Sequence, residues 1–196
     1  MLVGILLLVT YRMVERMGNV ILGLLLVGPA TLYALTKQFE QGVSLFYSAS
    51  LGSLRAAVTV LLERGLVTVA GSVENGRNKK TYSITDAGRT AFTEWMTAPI
   101  TGGDLETVAL SKVYFLGMLT DTASRATVLA GIVDRIRAEQ QQLESLASHL
   151  DGVDIPQGHA EIFRYQRITL DYGLLSLAVA REFFESLAPS HELPTP

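Results

Sequence analysis

The stretch SASLGSLRAAVTVLLERGLVTVAGSVENGRNKKTYSITDAGR, residues 48–89, decides the fold of this chain. Leu51, Leu54, Val58, Leu61 and Leu62 recur at helical spacing and predict one buried stripe. At about 100° per residue the opposite face carries Gly52, Ser53, Ala56, Thr59, Val60 and Glu63, so its N-terminal half is small and lets the backbone approach another surface closely. Ser48 or Ser50 supplies the N-cap. Arg55 sits at the border of the two faces, its stem able to lie on apolar neighbours while its guanidinium reaches outward. Gly65 supplies a left-handed stop. Leu66-Val67-Thr68-Val69 then reads as a strand, residues 71–79 as a polar turn with Asn75-Gly76 as the hairpin signal, and Lys80-Thr81-Tyr82-Ser83-Ile84 as the return strand. Thr85 caps a further helix to about Thr97, with Asp86 in its positive first turn and Ala87, Phe92, Trp95 and Met96 on its buried face. A helix with a small outer face running into a basic-tipped hairpin is the layout by which a winged helix-turn-helix offers one helix to a major groove and a cationic wing to the phosphates.

Upstream, Asn19 is placed to cap a short, nearly all-apolar helix from Val20 to about Val27, which Gly28-Pro29 ends. Thr31 to about Glu40 reads as a second helix burying Leu32, Leu35 and Phe39. Residues 43–49 connect it to the third and pack two aromatics on the core. The first eleven residues, MLVGILLLVTY, are almost wholly apolar. They lack the flanks of a signal peptide and fall short of the roughly 20 residues a spanning helix needs. They are expected to be an extra packed helix, or to precede a true start at Met13 or Met17. A weak membrane anchor is the remaining alternative.

Ala98–Gly103 is the expected linker. Beyond it the chain reads as all helix: from Asp104 to about Leu119, from Asp121 to about Leu150, and from roughly His159 to Leu187. Leu129, Ile136, Leu143 and Leu150 repeat every seven residues, with Ile132 and Leu146 at the intervening seam and Glu139 breaking it. This marginal heptad signal predicts a packed antiparallel bundle. The final helix carries apolar groups on more than one face, a surplus that points to a subunit interface.

The net charge of −3 conceals a split. Residues 1–98 hold nine Lys/Arg against six Asp/Glu, and residues 99–196 hold seven against thirteen. Within 50–89 the balance is six to three, so positive charge gathers where phosphate would be met. There is no cysteine, which excludes disulfides and thiolate metal sites and fits a reducing, cytoplasmic setting. The three histidines, His149, His159 and His191, show no metal-ligand spacing, and no Walker loop, GxGxxG or GxSxG elbow is present. No catalytic residue, metal or cofactor is expected, and the chain does not read as an enzyme.

Residues 19–99 resemble the DNA-binding domain of the PadR family of transcriptional regulators. The resemblance is carried by Ile21-Leu22-Gly23-Leu24-Leu25, Gly28-Pro29, Tyr33-Ala34-Leu35, Ser48-Ala49-Ser50-Leu51-Gly52-Ser53-Leu54, Leu61-Leu62-Glu63-Arg64-Gly65-Leu66-Val67, Gly76-Arg77, Tyr82-Ser83-Ile84-Thr85, Ala87-Gly88-Arg89 and Glu94-Trp95. The long helical second half is similar to the larger PadR subgroup, in which that region dimerises. The resemblance implies a winged-helix homodimer that represses its target and releases DNA on binding a small molecule. Two departures stand out: Arg55 and Ala56 replace the family's frequent aromatic-Pro pair, and Ala30-Thr31-Leu32 precedes Tyr33. Other members' operators therefore do not transfer, and Arg55 is placed to read a guanine that an aromatic could not.

The expected layout is an apolar extension over 1–18, a winged helix-turn-helix domain over 19–99, a helical dimerisation domain over 104–188, and a frayed tail over 189–196. The fold class is mainly α with a small β-hairpin. Expected DNA contacts are Ser50, Gly52, Ser53, Arg55, Thr59, Arg77, Asn78, Lys79 and Lys80, on a pseudo-palindromic double-stranded operator. Expected dimer contacts are Leu129, Ile132, Ile136, Leu143, Leu146, Leu170, Leu174, Leu177 and Phe183. An apolar or aromatic effector between the C-terminal helices completes the scheme, with no stable membrane insertion. The competing schemes are a protein-interaction module on a winged-helix scaffold and a membrane-associated regulator held by residues 1–11.

Overall fold

The structure, a computed structural model, describes residues 16–48, 50–74, 77–102 and 104–187. The apolar stretch 1–11 and the tail 189–196 lie outside the described residues. Residues 16–27 are helical (α1), so Asn19 lies inside that helix and is not its cap. Its apolar run is buried, as its all-round pattern requires: Val20, Ile21, Leu22, Leu24 and Leu25 are almost fully covered. Gly28 and Pro29 break the helix, and Ala30–Thr31 (β1) follow as a two-residue strand. The Thr31 hydroxyl accepts from the Ala34 amide at 3.1 Å, which starts α2 (Leu32–Gln41) at once. A short 3₁₀ turn, Val43–Leu45, leads to α3 (Leu51–Glu63).

Helix α3 begins with a reciprocal capping box. The Ser53 amide donates to Ser50 Oγ at 3.1 Å and the Ser50 amide donates to Ser53 Oγ at 2.9 Å. Leu54, Ala57, Val58 and Leu61 face the core. Leu51, expected on the buried stripe, is exposed at the first position of the helix. Gly65 at φ +69 ends the helix and turns the chain into the sheet. Strands β2 (Val67–Glu74) and β3 (Arg77–Ile84) pair antiparallel in continuous register from Val67↔Ile84 to Glu74↔Arg77. Both are longer than the sequence predicted, since pairing carries on to Glu74 and Arg77 and takes most of the polar turn into the ladder. Strand β1 adds to β3 through Ala30↔Tyr82 and Thr31↔Thr81, giving the order β1-β3-β2.

Thr85 caps α4 (Asp86–Thr97), its hydroxyl accepting from the Gly88 amide at 3.1 Å and donating to the Gly65 carbonyl at 2.8 Å. Gly88, Phe92 and Met96 form the buried face. Ala87, expected there, is exposed, and Trp95 is half-buried. Gly88 takes the inward position because α4 crosses the end of β2 too closely for a side chain.

The chain divides into two compact units, and the boundary is not a single cut at the linker. The first unit holds the chain up to Ala98 together with Glu106–Asp121, and the second holds Pro99–Leu105 and everything from Thr122. Helix α5 (Leu105–Tyr114) and the 3₁₀ turn Leu116–Met118 are therefore mostly part of the first unit, although the sequence assigned them to the second. Aromatic packing explains why. Phe115 is 1% exposed, stacks edge-on to Phe92 at 5.8 Å, and lies where a side chain at Gly23 would have to be. Tyr114 fills the space over Gly42, and the Thr107 hydroxyl donates to the Phe46 carbonyl at 3.2 Å.

Lys112 fastens this helix to the end of α4. Its Nζ donates to the Met96 carbonyl at 3.1 Å and to the Ala98 carbonyl, and it lies 5.9 Å from the centre of the Trp95 ring. A helix end leaves such carbonyls without intrahelical partners, and the amine satisfies two of them. Burial pulls the Lys112 pKa down from 10.5 to about 8. Between those values the unfolded chain binds the proton that the folded chain has released, so stability rises with pH across that window, by at most about 3 kcal/mol. The buried Tyr47 phenol, whose pKa is raised, opposes this only above its unfolded value near 10. The urea midpoint is expected to climb from pH 8 to pH 10 in the wild type and to lose that slope in Lys112→Met. A flat wild-type profile would show that the two carbonyls hold the amine at its ordinary pKa.

In the second unit α6 (Thr122–Asp151) and α7 (Ala160–Ser186) form an antiparallel hairpin across a turn containing Gly158 at φ +87. Val128, Leu129, Ile132, Val133, Ile136 and Ala147 are buried on α6, and Leu170 and Phe184 on α7. Arg167 bridges Asp151 and Asp171 at one end, and Arg137 meets Glu185 at 2.8 Å at the other. These exposed pairs set register more than they add stability. Among the described residues, no helix is long and apolar enough to cross a membrane.

Candidate nucleic-acid interface

An open groove of about 1000 Å³ runs along the first unit between the outer face of α3, the N-terminal turn of α2 and strand β3. Arg55, Lys79 and Lys80 line it, and no carboxylate does among the described residues. Three cations gathered along one groove make a surface that attracts a polyanion. Thr59, Leu62 and Asn78 complete the floor and rim.

The structure distributes the expected DNA-binding residues unevenly. Gly52, Arg55 and Thr59 are exposed on the outer face of α3. Gly52 has only the Ser50 hydroxyl near it, so the helix start is open to close approach. The Ser50 and Ser53 hydroxyls are engaged in the capping box, and Ser53 Oγ also donates to the Ser50 carbonyl at 2.8 Å. Their first task is to fix where α3 begins. The Thr59 hydroxyl donates to the Arg55 carbonyl at 3.1 Å, which leaves its methyl as the outward group. Asn78 and Lys80 stand on one face of β3 and Lys79 on the other, because a strand alternates its side chains, and all three border the groove, Lys79 from the strand's far side. The expected basic cluster is thus a strand with cations on both faces. The Arg77 side chain lies outside the described part of the structure.

Two residues were not foreseen. Tyr33, on the first turn of α2, is 75% exposed and lines the groove, and Tyr82 lines it from β3. The pairing of β1 with β3 draws them to the same groove, and two residues of strand at 30–31 give too little pattern to be seen in advance.

The expected dimer residues also separate. Leu129, Ile132, Ile136 and Leu170 are already buried within the chain, and Leu143 touches Gly173 across the hairpin. Leu174 and Leu177 are half-buried, and only Leu146 and Phe183 are exposed. The heptad signal on α6 therefore marks the intramolecular seam. A different stripe faces outward on α7: Tyr165, Ile168, Tyr172, Leu175, Val179 and Phe183, spaced by three or four residues. Tyr172 is 73% exposed, Leu175 68% and Val179 68%. Among the described residues, no three His, Asp or Glu side chains gather in a way that could hold a metal ion.

A helix-turn-helix with a three-stranded sheet, its wing flanking the outer face of the second helix, defines the winged-helix class of DNA-binding proteins. Residues 21–94 match the model of the transcriptional regulator PadR-like family. The chain thus carries a PadR-like domain over those residues. It is 28% identical over 132 residues to the negative transcriptional regulator PadR of Bacillus subtilis (strain 168), across 64% of this chain and 68% of that protein. The crystal structure of Bacillus subtilis PadR in complex with operator DNA aligns over 87% of this chain and 96% of that one, at 21% identity and a TM-score of 0.40. The same protein with p-coumaric acid aligns over 89% and 94%, at 21% identity and a TM-score of 0.39.

Proposed function

We propose that this regulator works as a homodimer that places α3 in the major groove of a pseudo-palindromic operator and represses transcription. The observation that carries the reading is the groove in which Arg55, Lys79 and Lys80 gather beside the small outer side of α3. The small face admits the backbone, the capping box sets the helix end, and the cations neutralise phosphates. Tyr33 adds a hydroxyl donor at the start of α2. The relative named as a negative regulator supports repression over activation.

Fluorescence anisotropy on duplexes selected from random oligonucleotides tests the interface. Each phosphate that is no longer neutralised should flatten the plot of log affinity against log salt by about 0.9. Lys79→Ala and Lys80→Ala are each expected to lower the slope by about that amount without changing which sequences bind. Arg55→Ala is expected to cost about 1–3 kcal/mol and to relax preference at one base position. Slopes and preferences identical to wild type in all three variants would remove this groove from the mechanism.

The partner proposed for the outward stripe on α7 is a second copy of the chain. Two heads joined this way meet half-sites about one helical turn, or a small multiple, apart. Regulation follows if an apolar or aromatic small molecule binds between the C-terminal helices and shifts the population of dimers away from the spacing the operator needs. The expected sign is a lower operator affinity in its presence. A titration of planar aromatic acids against the preformed complex checks it.

A further inference from the structure

The register of the wing places an apolar strip where the proposed complex meets DNA. In an antiparallel ladder, directly opposed residues share a face, and that face recurs every second residue. Val69 opposes Tyr82, Gly71 opposes Lys80 and Val73 opposes Asn78. Val67, 2% exposed, marks the face of this ladder that turns to the core, and Tyr82, Lys80 and Asn78 on the same face line the groove beside α3, so Val69, Gly71 and Val73 belong to that inner face. The outer face is mostly polar instead: Thr68, Ser72, Lys79, Thr81 and Ser83, with Ala70 its one apolar member among them. Val73 is 72% exposed and Val69 is 44% exposed.

Strand β2 is also an edge strand, since the sheet order is β1-β3-β2. An exposed β-branched side chain next to an unpaired strand edge is a liability for a free surface. It is an asset only where something covers it. What covers a wing beside a recognition helix, if the proposed DNA reading holds, is the adjacent minor groove. That groove is about 6 Å wide, and its floor offers only acceptors at A·T pairs, whereas G·C pairs add the exocyclic amine of guanine. A valine methyl over that amine would leave a donor without a partner. Over A·T no group projects from the floor to meet the methyl, and the Asn78 amide beside it can donate to adenine N3 or thymine O2.

We infer that the Val73–Asn78 cross-strand pair is a specificity-determining element that selects A·T over G·C in the minor groove flanking each half-site. This rests on the proposed operator reading, and the test separates the two. Duplexes selected by the full chain are rebuilt with the flanking steps as A·T, G·C or I·C, inosine being guanine without the exocyclic amine. The wild type is expected to bind A·T and I·C flanks alike and G·C flanks about tenfold more weakly. Val73→Gly with Asn78→Ala should erase that difference while leaving the salt slope unchanged, since neither residue is charged. Both positions are exposed, and the inosine comparison needs no variant at all. Equal wild-type binding to all three flanks would overturn the inference and leave the operator reading standing. Failure of the wild type to select any duplex would overturn both.

Discussion

Gly88→Ala is expected to lower the stability of the winged-helix unit sharply. Helix propensity alone points the other way, since alanine inside a helix is worth about 1 kcal/mol over glycine. Geometry decides against it. A Cβ at residue 88 would lie 2.1 Å from the Leu66 carbonyl oxygen and 2.8 Å from Ile84 Cγ1. The Leu66 oxygen cannot step aside, because it accepts from the Thr85 amide at 3.1 Å and joins the end of β2 to the cap of α4. Moving it breaks the cap, the strand end and the buried face of α4 together. A net cost of about 3 kcal/mol is expected, the upper end of what overpacking usually costs and a large share of the 5–15 kcal/mol typical of a whole domain. Gly131→Ala is the control: it lies on an exposed stretch of α6 with nothing within 4 Å of the added atom, and should gain roughly 0.5–1 kcal/mol. Denaturant midpoints of the two variants should move in opposite directions. A Gly88→Ala protein as stable as wild type would mean that the junction yields freely.

The second large effect concerns assembly. Tyr172→Glu combined with Leu175→Glu is expected to give a folded monomer with operator affinity lowered 10²- to 10⁴-fold. Both residues are more than two-thirds exposed in the single chain, so their replacement takes nothing from its core. In a second copy's presence they would be covered, and four buried carboxylates at a self-complementary interface cannot be tolerated. Separating the heads removes the effective concentration that makes the second half-site intramolecular. Sedimentation should show the change in mass, with helix content by circular dichroism unaltered. Persistence of the dimer would place its interface elsewhere than α7.

Much of the reading head was legible because local rules and tertiary demands agree there. The stripe on α3, the Ser50 and Thr85 caps, the Gly65 stop and the Asn75-Gly76 hairpin signal each need only a few neighbouring residues to be recognised. Long-range facts were not legible. Strand β1 depends on a partner about fifty residues away in sequence. The inward turn of Gly88 in place of Ala87 depends on where the chain enters β2, at Leu66. Helix α5 has almost no amphipathic pattern of its own, so nothing in residues 105–114 announced that it would be claimed by Phe92 and Gly23. The heptad on α6 was a real signal with a second solution: the same leucines and isoleucines that could bind another chain bind α7. Exposure on α7 reveals a separate stripe, because that helix carries more apolar residues than its hairpin can cover.

The return of α5 to the first unit fixes where this chain can be cut or spliced. A head severed at the linker would lose Phe115 from beneath Gly23 and the amine that closes the end of α4, and would show Phe92 to water. Transplanting the reading head onto another assembly domain, or swapping heads to change the sequence that is read, therefore calls for a junction after Asp121. The portable piece of the molecule is longer than its DNA-binding motif by one helix and one turn.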